Sequence, residues 1–134
     1  MQYEVNKNKL IVDGKVVYEA PAEIDDTLVS KFNPEAIMII YDGFRLRPEG
    51  YHSVTNPIFI EPSLQEAINQ NVLCIDKKGN VIWRIESTFD YPEDHVRFTK
   101  NPPNYDDVWV YRRDAKEFKI DPANGKILDR RLGL

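Results

Sequence analysis

Residues 71–86 read NVLCIDKKGNVIWRIE, and this stretch decides the fold. Val72-Leu73-Cys74-Ile75 is a short apolar run rich in strand formers, and Asp76-Lys77-Lys78-Gly79-Asn80 is a turn cluster whose glycine supplies a left-handed backbone. Residues 81–86 resume as a second strand, so the whole stretch predicts a β-hairpin. Side chains alternate along a strand with a period of two. Val81, Trp83 and Ile85 are therefore expected on one face, with Trp83 a core anchor, and Ile82, Arg84 and Glu86 on the other.

Three more stretches follow the same plan: KLIVDGKVVYE (9–19), AIMIIYDGFRLR (36–47) and FKIDPANGKILDRR (118–131). Each has an apolar strand, an aspartate, a turn closing on glycine, and a second strand. The glycines, Gly14, Gly43, Gly79 and Gly125, lie 29, 36 and 46 residues apart, too irregular for a tandem repeat. Any meander of hairpins places Asp and Gly at its turns, and that local reason is preferred here over a true repeat. The run 36–41 is almost unbroken in its hydrophobicity and is expected at the centre of the sheet, with Arg45 and Arg47 on the outer face of its partner strand.

Between the hairpins the pattern changes. In 20–33, Pro21 breaks the strand, Asp25-Asp26 can cap, and Ile24, Leu28, Val29 and Phe32 recur at helix-like spacing, which predicts one short helix or two helical turns. Residues 48–57 read as loop and Ile58-Phe59-Ile60 as a brief strand. Ser63-Leu64-Gln65-Glu66 matches a capping box, opening a helical turn or two over 64–69. Residues 87–106 hold Pro92, Pro102 and Pro103 and only one strand-like trio, Val96-Arg97-Phe98; structureless stretches of that length tend to be functional or disordered. Strands return at 108–111, 117–120 and 126–132.

A chain of 134 residues fits one β-rich domain, 1–134, and a domain of this size buries roughly two-thirds of its unfolded-chain surface without needing staples. The single cysteine, Cys74, sits in an apolar run where a thiol behaves as a small hydrophobe. No basic-then-apolar leader opens the chain and no run approaches the ~18 apolar residues of a membrane span, so a cytoplasmic, membrane-free protein is expected. A net charge of −4 disfavours nucleic acid, whose binding rests on neutralising phosphates, and suits a basic partner.

The chemistry-bearing residues are sparse. With His52, His95 and one cysteine, zinc spacings are absent; the 76–80 turn lacks the closing Glu of a calcium loop; the six glycines form no phosphate cradle. No cofactor, metal site or catalytic residue is expected, and the chain reads as no enzyme. Tyr91 and Tyr105 with Asp90, Glu93, Asp94, Asp106 and Asp107 form an aromatic set within an acidic rim, a composition that anchors and steers a basic protein surface. Trp109 is expected in the core, and Arg112, Arg113, Arg130 and Arg131 as solvated strand ends or ion-pair partners.

Two families share parts of this pattern. VLCIDKKGNVIWRIE and DVWVYRRDAKEFKIDPANGKILDRR resemble blades of quinoprotein-type β-propellers in their strand, Asp, turn-Gly, strand-Trp and D-P-x-x-G-K order; the likeness covers 71–86 and 107–131, implies an antiparallel meander, and carries over no functional residue. In size, charge balance and the segment NVLCIDKKGNVIW, the chain also resembles small cytoplasmic immunity proteins of bacterial toxin systems of the contact-dependent inhibition type. That resemblance implies a non-catalytic inhibitor that covers the active groove of a cognate, basic, nuclease-type toxin. The rival class is a structural or accessory β module that pairs with a larger assembly through an exposed edge; a small hydrolase ranks below both. The expected fold is mainly β, an antiparallel meander of eight to ten short strands as a sandwich or partly closed barrel, with one or two short helices. Oligomeric state is not encoded in any recognisable motif.

Overall fold

The computed structural model describes residues 2–29, 35–48, 61–86, 96–98, 108–112 and 116–132. Within them lie eleven strands in three antiparallel sheets that do not close into a barrel. The first sheet is β1 (Tyr3–Asn6), β2 (Lys9–Val12) and β3 (Lys15–Glu19). The second is β4 (Ile24–Val29), β5 (Ala36–Tyr41), β6 (Val72–Asp76) and β7 (Val81–Arg84). The third is β8 (Val96–Phe98), β9 (Val108–Arg112), β10 (Lys116–Ile120) and β11 (Ile127–Leu132). Every sheet is a meander, its strands adjacent in the order of the chain.

The sheets stack in three layers. Ile37, Ile39 and Tyr41 of β5, with Leu73 and Ile75 of β6, pack against Leu10 and Val12 of the first sheet. Their neighbours Ala36, Met38, Ile40, Val72 and Cys74 face the opposite way, against Val108, Val110, Phe118 and Ile120 of the third. The middle sheet is covered on both sides, which is why β5 carries no charged residue and its one side-chain polar group, the Tyr41 hydroxyl, is hydrogen-bonded: a strand buried on both faces has no position left for an unsatisfied one. Its central place is as the sequence predicts.

The hairpin at 71–86 forms, with one departure. Trp83 and Ile85 enter the core, but Val81 lies exposed. Cys74 pairs with Trp83 while Ile75 pairs with Val81, so Ile82 is an extra residue, and this β-bulge resets the alternation ahead of the tryptophan.

Three local expectations are overturned. Residues 24–29 are the strand β4 and not a helix. Ile24 and Leu28, four apart, would share a face in a helix, but a bulge at Asp25 puts Ile24 with the cluster facing the first sheet and Leu28 with the cluster facing the third. The stretch 44–47 does not return as a strand after Asp42-Gly43. The Asp42 carboxylate accepts from Phe44 N at 3.1 Å, turning the chain into a 3₁₀ helix over Gly43–Leu46. Arg45 then pairs with Asp42 at 3.4 Å and the Arg47 guanidinium stacks 3.8 Å over Phe44, so the two arginines share no strand face. The helix near Ser63 is real, α1 (Pro62–Asn69), but its N-cap is Glu61 with Pro62 in the first turn and no side-chain cap, so Ser63 lies inside the helix and no capping box forms. The loop and strand expected over 49–60 lie outside the described residues.

Candidate functional site

All seven residues expected to bind a partner, Asp90, Tyr91, Glu93, Asp94, Tyr105, Asp106 and Asp107, lie outside the described residues. The structure does describe where their segment leaves and meets the core: Glu86, the strand β8, and Val108.

Val96, fully buried at the start of β8, is held by Asn71. The Asn71 Nδ2 donates to Val96 O and to Tyr41 O, each at 2.8 Å, and its Oδ1 accepts from Val96 N at 3.1 Å. A primary amide presents two donors and an acceptor, so this side chain imitates one rung of a β-ladder and ties β8 to the ends of the central strands β5 and β6 of the middle layer. At 1 % exposure Asn71 has no water to fall back on, and all three bonds are needed to keep the amide satisfied. Glu86, where the segment departs, donates its N–H to Gly125 O at 3.0 Å and accepts from Ile127 N through Oε2 at 3.0 Å. Val108, where the chain rejoins the third sheet, is buried in the core between the middle and third sheets.

Trp109 points to the opposite face from Val108 and Val110. It is buried, as the sequence predicts, yet belongs to neither apolar cluster: the Arg131 guanidinium lies 3.8 Å over its ring and is itself held by Glu117 at 3.1 Å. Arg131 is thus the ion-pair partner expected, and Arg130 is exposed, 5.7 Å over the Phe118 ring. For Arg112 the expectation of a solvated strand end is corrected. The residue is only 2 % exposed, its guanidinium 5.2 Å over Phe118, because the alternation that sends Val108 and Val110 inward sends Arg112 inward as well.

A second polar cluster joins α1 to the sheets. Tyr41 Oη donates to Ala67 O, Arg84 Nη1 to Gln70 O at 3.1 Å, and Gln70 Nε2 to Ile85 O at 2.7 Å, with Glu66 3.9 Å from Arg84 Nε. Burial pushes the Tyr18 and Tyr41 hydroxyls above their ordinary pKa, and the neighbouring Arg84 only partly opposes it. Both stay protonated at neutral pH and serve as hydrogen-bonding groups. Nothing local in the sequence marks this cluster or the Asn71 clamp, since the partners meet only through the layering.

Cys74 is buried, and burial with the nearby Asp76 charge pushes its thiol up to about 11. It remains a thiol at neutral pH and a poor nucleophile. Asp76 is occupied as a turn acceptor. Desolvation works against its ionised form, but donors from Asn80 and Lys78 at 2.8–3.1 Å outweigh it and hold the carboxyl below its ordinary value. Among the described residues no group of three or more His, Cys, Asp or Glu side chains could hold a metal ion, and no helix is long and apolar enough to cross a membrane.

Fold and clamp together define a protein of stacked antiparallel meanders with long connections rooted on the middle and third layers. By sequence, the chain belongs to the family described as Domain of unknown function (DUF7957), whose model matches residues 54–132, from just before α1 through β11. No curated protein matches the chain. Among solved structures it is similar to the crystal structure of the computationally designed Ika8 protein, at 12 % identity and a TM-score of 0.37, over 98 % of this chain and 48 % of that one. The chain thus spans about half the length of that structure.

Proposed function

We propose that this protein is a non-catalytic binding module that uses the acidic, aromatic segment 87–107 to hold a basic protein. In its most concrete form it is a cytoplasmic immunity protein covering the groove of a nuclease-type toxin. The observation that carries the reading is the anchoring of the segment at Glu86, at Val96 through Asn71, and at Val108. Anchored ends reduce the chain entropy that a partner must remove, so more of the contact energy appears as affinity. The segment holds five acidic residues against Arg97 and Lys100, Tyr91 precedes Pro92 and Tyr105 follows Pro103 by two residues, a composition in which the rings supply contact area and the charges set the rate of encounter.

The test is capture from host lysate with the tagged full chain and with a variant carrying Tyr91→Ala, Glu93→Gln, Asp94→Asn and Asp106→Asn. The expected result is one basic protein, released as salt rises and lost from the variant while its melting curve is unchanged. Capture of the same protein in equal amount by both forms would move the binding surface elsewhere, and the absence of any partner at low salt would remove the reading.

A further inference from the structure

The last hairpin of each sheet is built alike. The turns at Asp13-Gly14, Asp76–Gly79 and Asp121–Gly125 all close on a glycine of positive φ (79°, 91° and 75°). Three residues after each glycine the register skips one residue of the outer strand: Val17 in β3, Ile82 in β7 and Leu128 in β11. The residue before each bulge pair is matched to an isoleucine of the preceding strand, as Ile11↔Val16, Ile75↔Val81 and Ile120↔Ile127. The unit at Gly43 does not share this geometry.

The three hairpins also contact one another in a repeated way. The turn of the second sheet seats on the outer strand of the first, where a β-carbon on Gly79 would stand 1.9 Å from Val17 O. The turn of the third seats on the outer strand of the second. There a β-carbon on Gly125 would stand 2.4 Å from the Trp83 ring, and Trp83 Nε1 donates to Pro122 O at 3.0 Å. The receiving residues lie three and four positions past the glycine of their own turn. The series stops at both ends. Among the described residues a β-carbon on Gly14 would meet nothing within 4 Å, and the corresponding receiving residues on β11, Leu128 and Asp129, are exposed, Leu128 by 58 %.

We propose that copies of this chain associate head to tail, the Asp13-Gly14 turn of one copy seating on Leu128 and Asp129 of the next as Gly79 seats on β3 and Gly125 on β7. A heterologous contact of this kind leaves one free turn and one free seat on every copy, and so builds either a closed ring or an open chain.

Sedimentation velocity over a range of concentrations tests it, using the wild-type chain, Gly14→Asn (turn blocked), Leu128→Glu (seat blocked) and their equimolar mixture. Asn tolerates the left-handed backbone and its side chain projects into open space, and Leu128 is exposed, so both variants keep the fold; Asp129→Lys replaces Leu128→Glu if circular dichroism shows otherwise. Wild type is expected to sediment faster as concentration rises, each variant alone to associate at least tenfold more weakly, and the mixture to regain pairs, since it retains one intact turn and one intact seat. Wild type monomeric at every concentration overturns the proposal, as does a single variant that associates like wild type, or a mixture that regains nothing.

Discussion

At Gly79 and Gly14 one residue type at one kind of turn carries two different constraints. Both sit at positive φ, where an L side chain is strained, but only Gly79 also lies against a neighbouring backbone. Gly14→Ala should therefore cost only the left-handed penalty, about 1 kcal/mol. Gly79→Ala adds a collision with Val17 O that no rotamer can relieve, and should cost more than about 4 kcal/mol or prevent folding. Denaturant titrations of the two variants beside wild type check the difference; equal losses would show that the 76–80 turn does not seat on β3. The sequence supplies the need for glycine at both turns from the aspartate and the flanking apolar runs. It carries no sign of which glycine is crowded, because Val17 lies far from Gly79 along the chain.

Hairpins were the most legible elements. Strand, turn and strand at 9–19, 71–86 and 118–131 are local, and their turn residues and glycines agree with the structure. Legibility failed where a local hydrogen bond or a bulge changes the period. A single extra residue at Asp25 makes β4 resemble a helix, and one carboxylate, Asp42, ends what looks like a third hairpin. Bulges at Val17, Ile82 and Leu128 escape a period-two reading for the same reason, although the shared offset from glycine is visible once the three stretches are aligned on it. The regular recurrence that the uneven glycine spacings hide resides in three of the four units. Within the elements, Asn71 carries a tie that no pattern announces. Asn71→Leu keeps the size but leaves Val96 N, Val96 O and Tyr41 O without their amide partner in a buried place, at a cost of about 3 kcal/mol or more. Amide exchange at Val96–Phe98 should accelerate in that variant well beyond the acceleration in β5; an equal change in both would mean that β8 is held by packing alone.

For the molecule as a whole, the sequence shows three things: a β protein of one domain's length, strands in hairpin order, and a middle strand without charged residues. The stack of three sheets is not written in any one stretch, since it arises from which faces meet. The residues expected to bind a partner lie in the long connection that the layers anchor, and the layers leave an exposed turn at one end and an exposed strand at the other. All of this depends on the middle sheet being covered on both sides. Hydrogen exchange of the native chain, read residue by residue, tests that directly. Amides of β5 and β6 should exchange only through global unfolding, while those of β1 and β11, at the margins of the outer sheets, exchange through local opening with a smaller free energy. If β5 exchanges as readily as β1, the middle sheet is not enclosed, and the three-layer account is wrong.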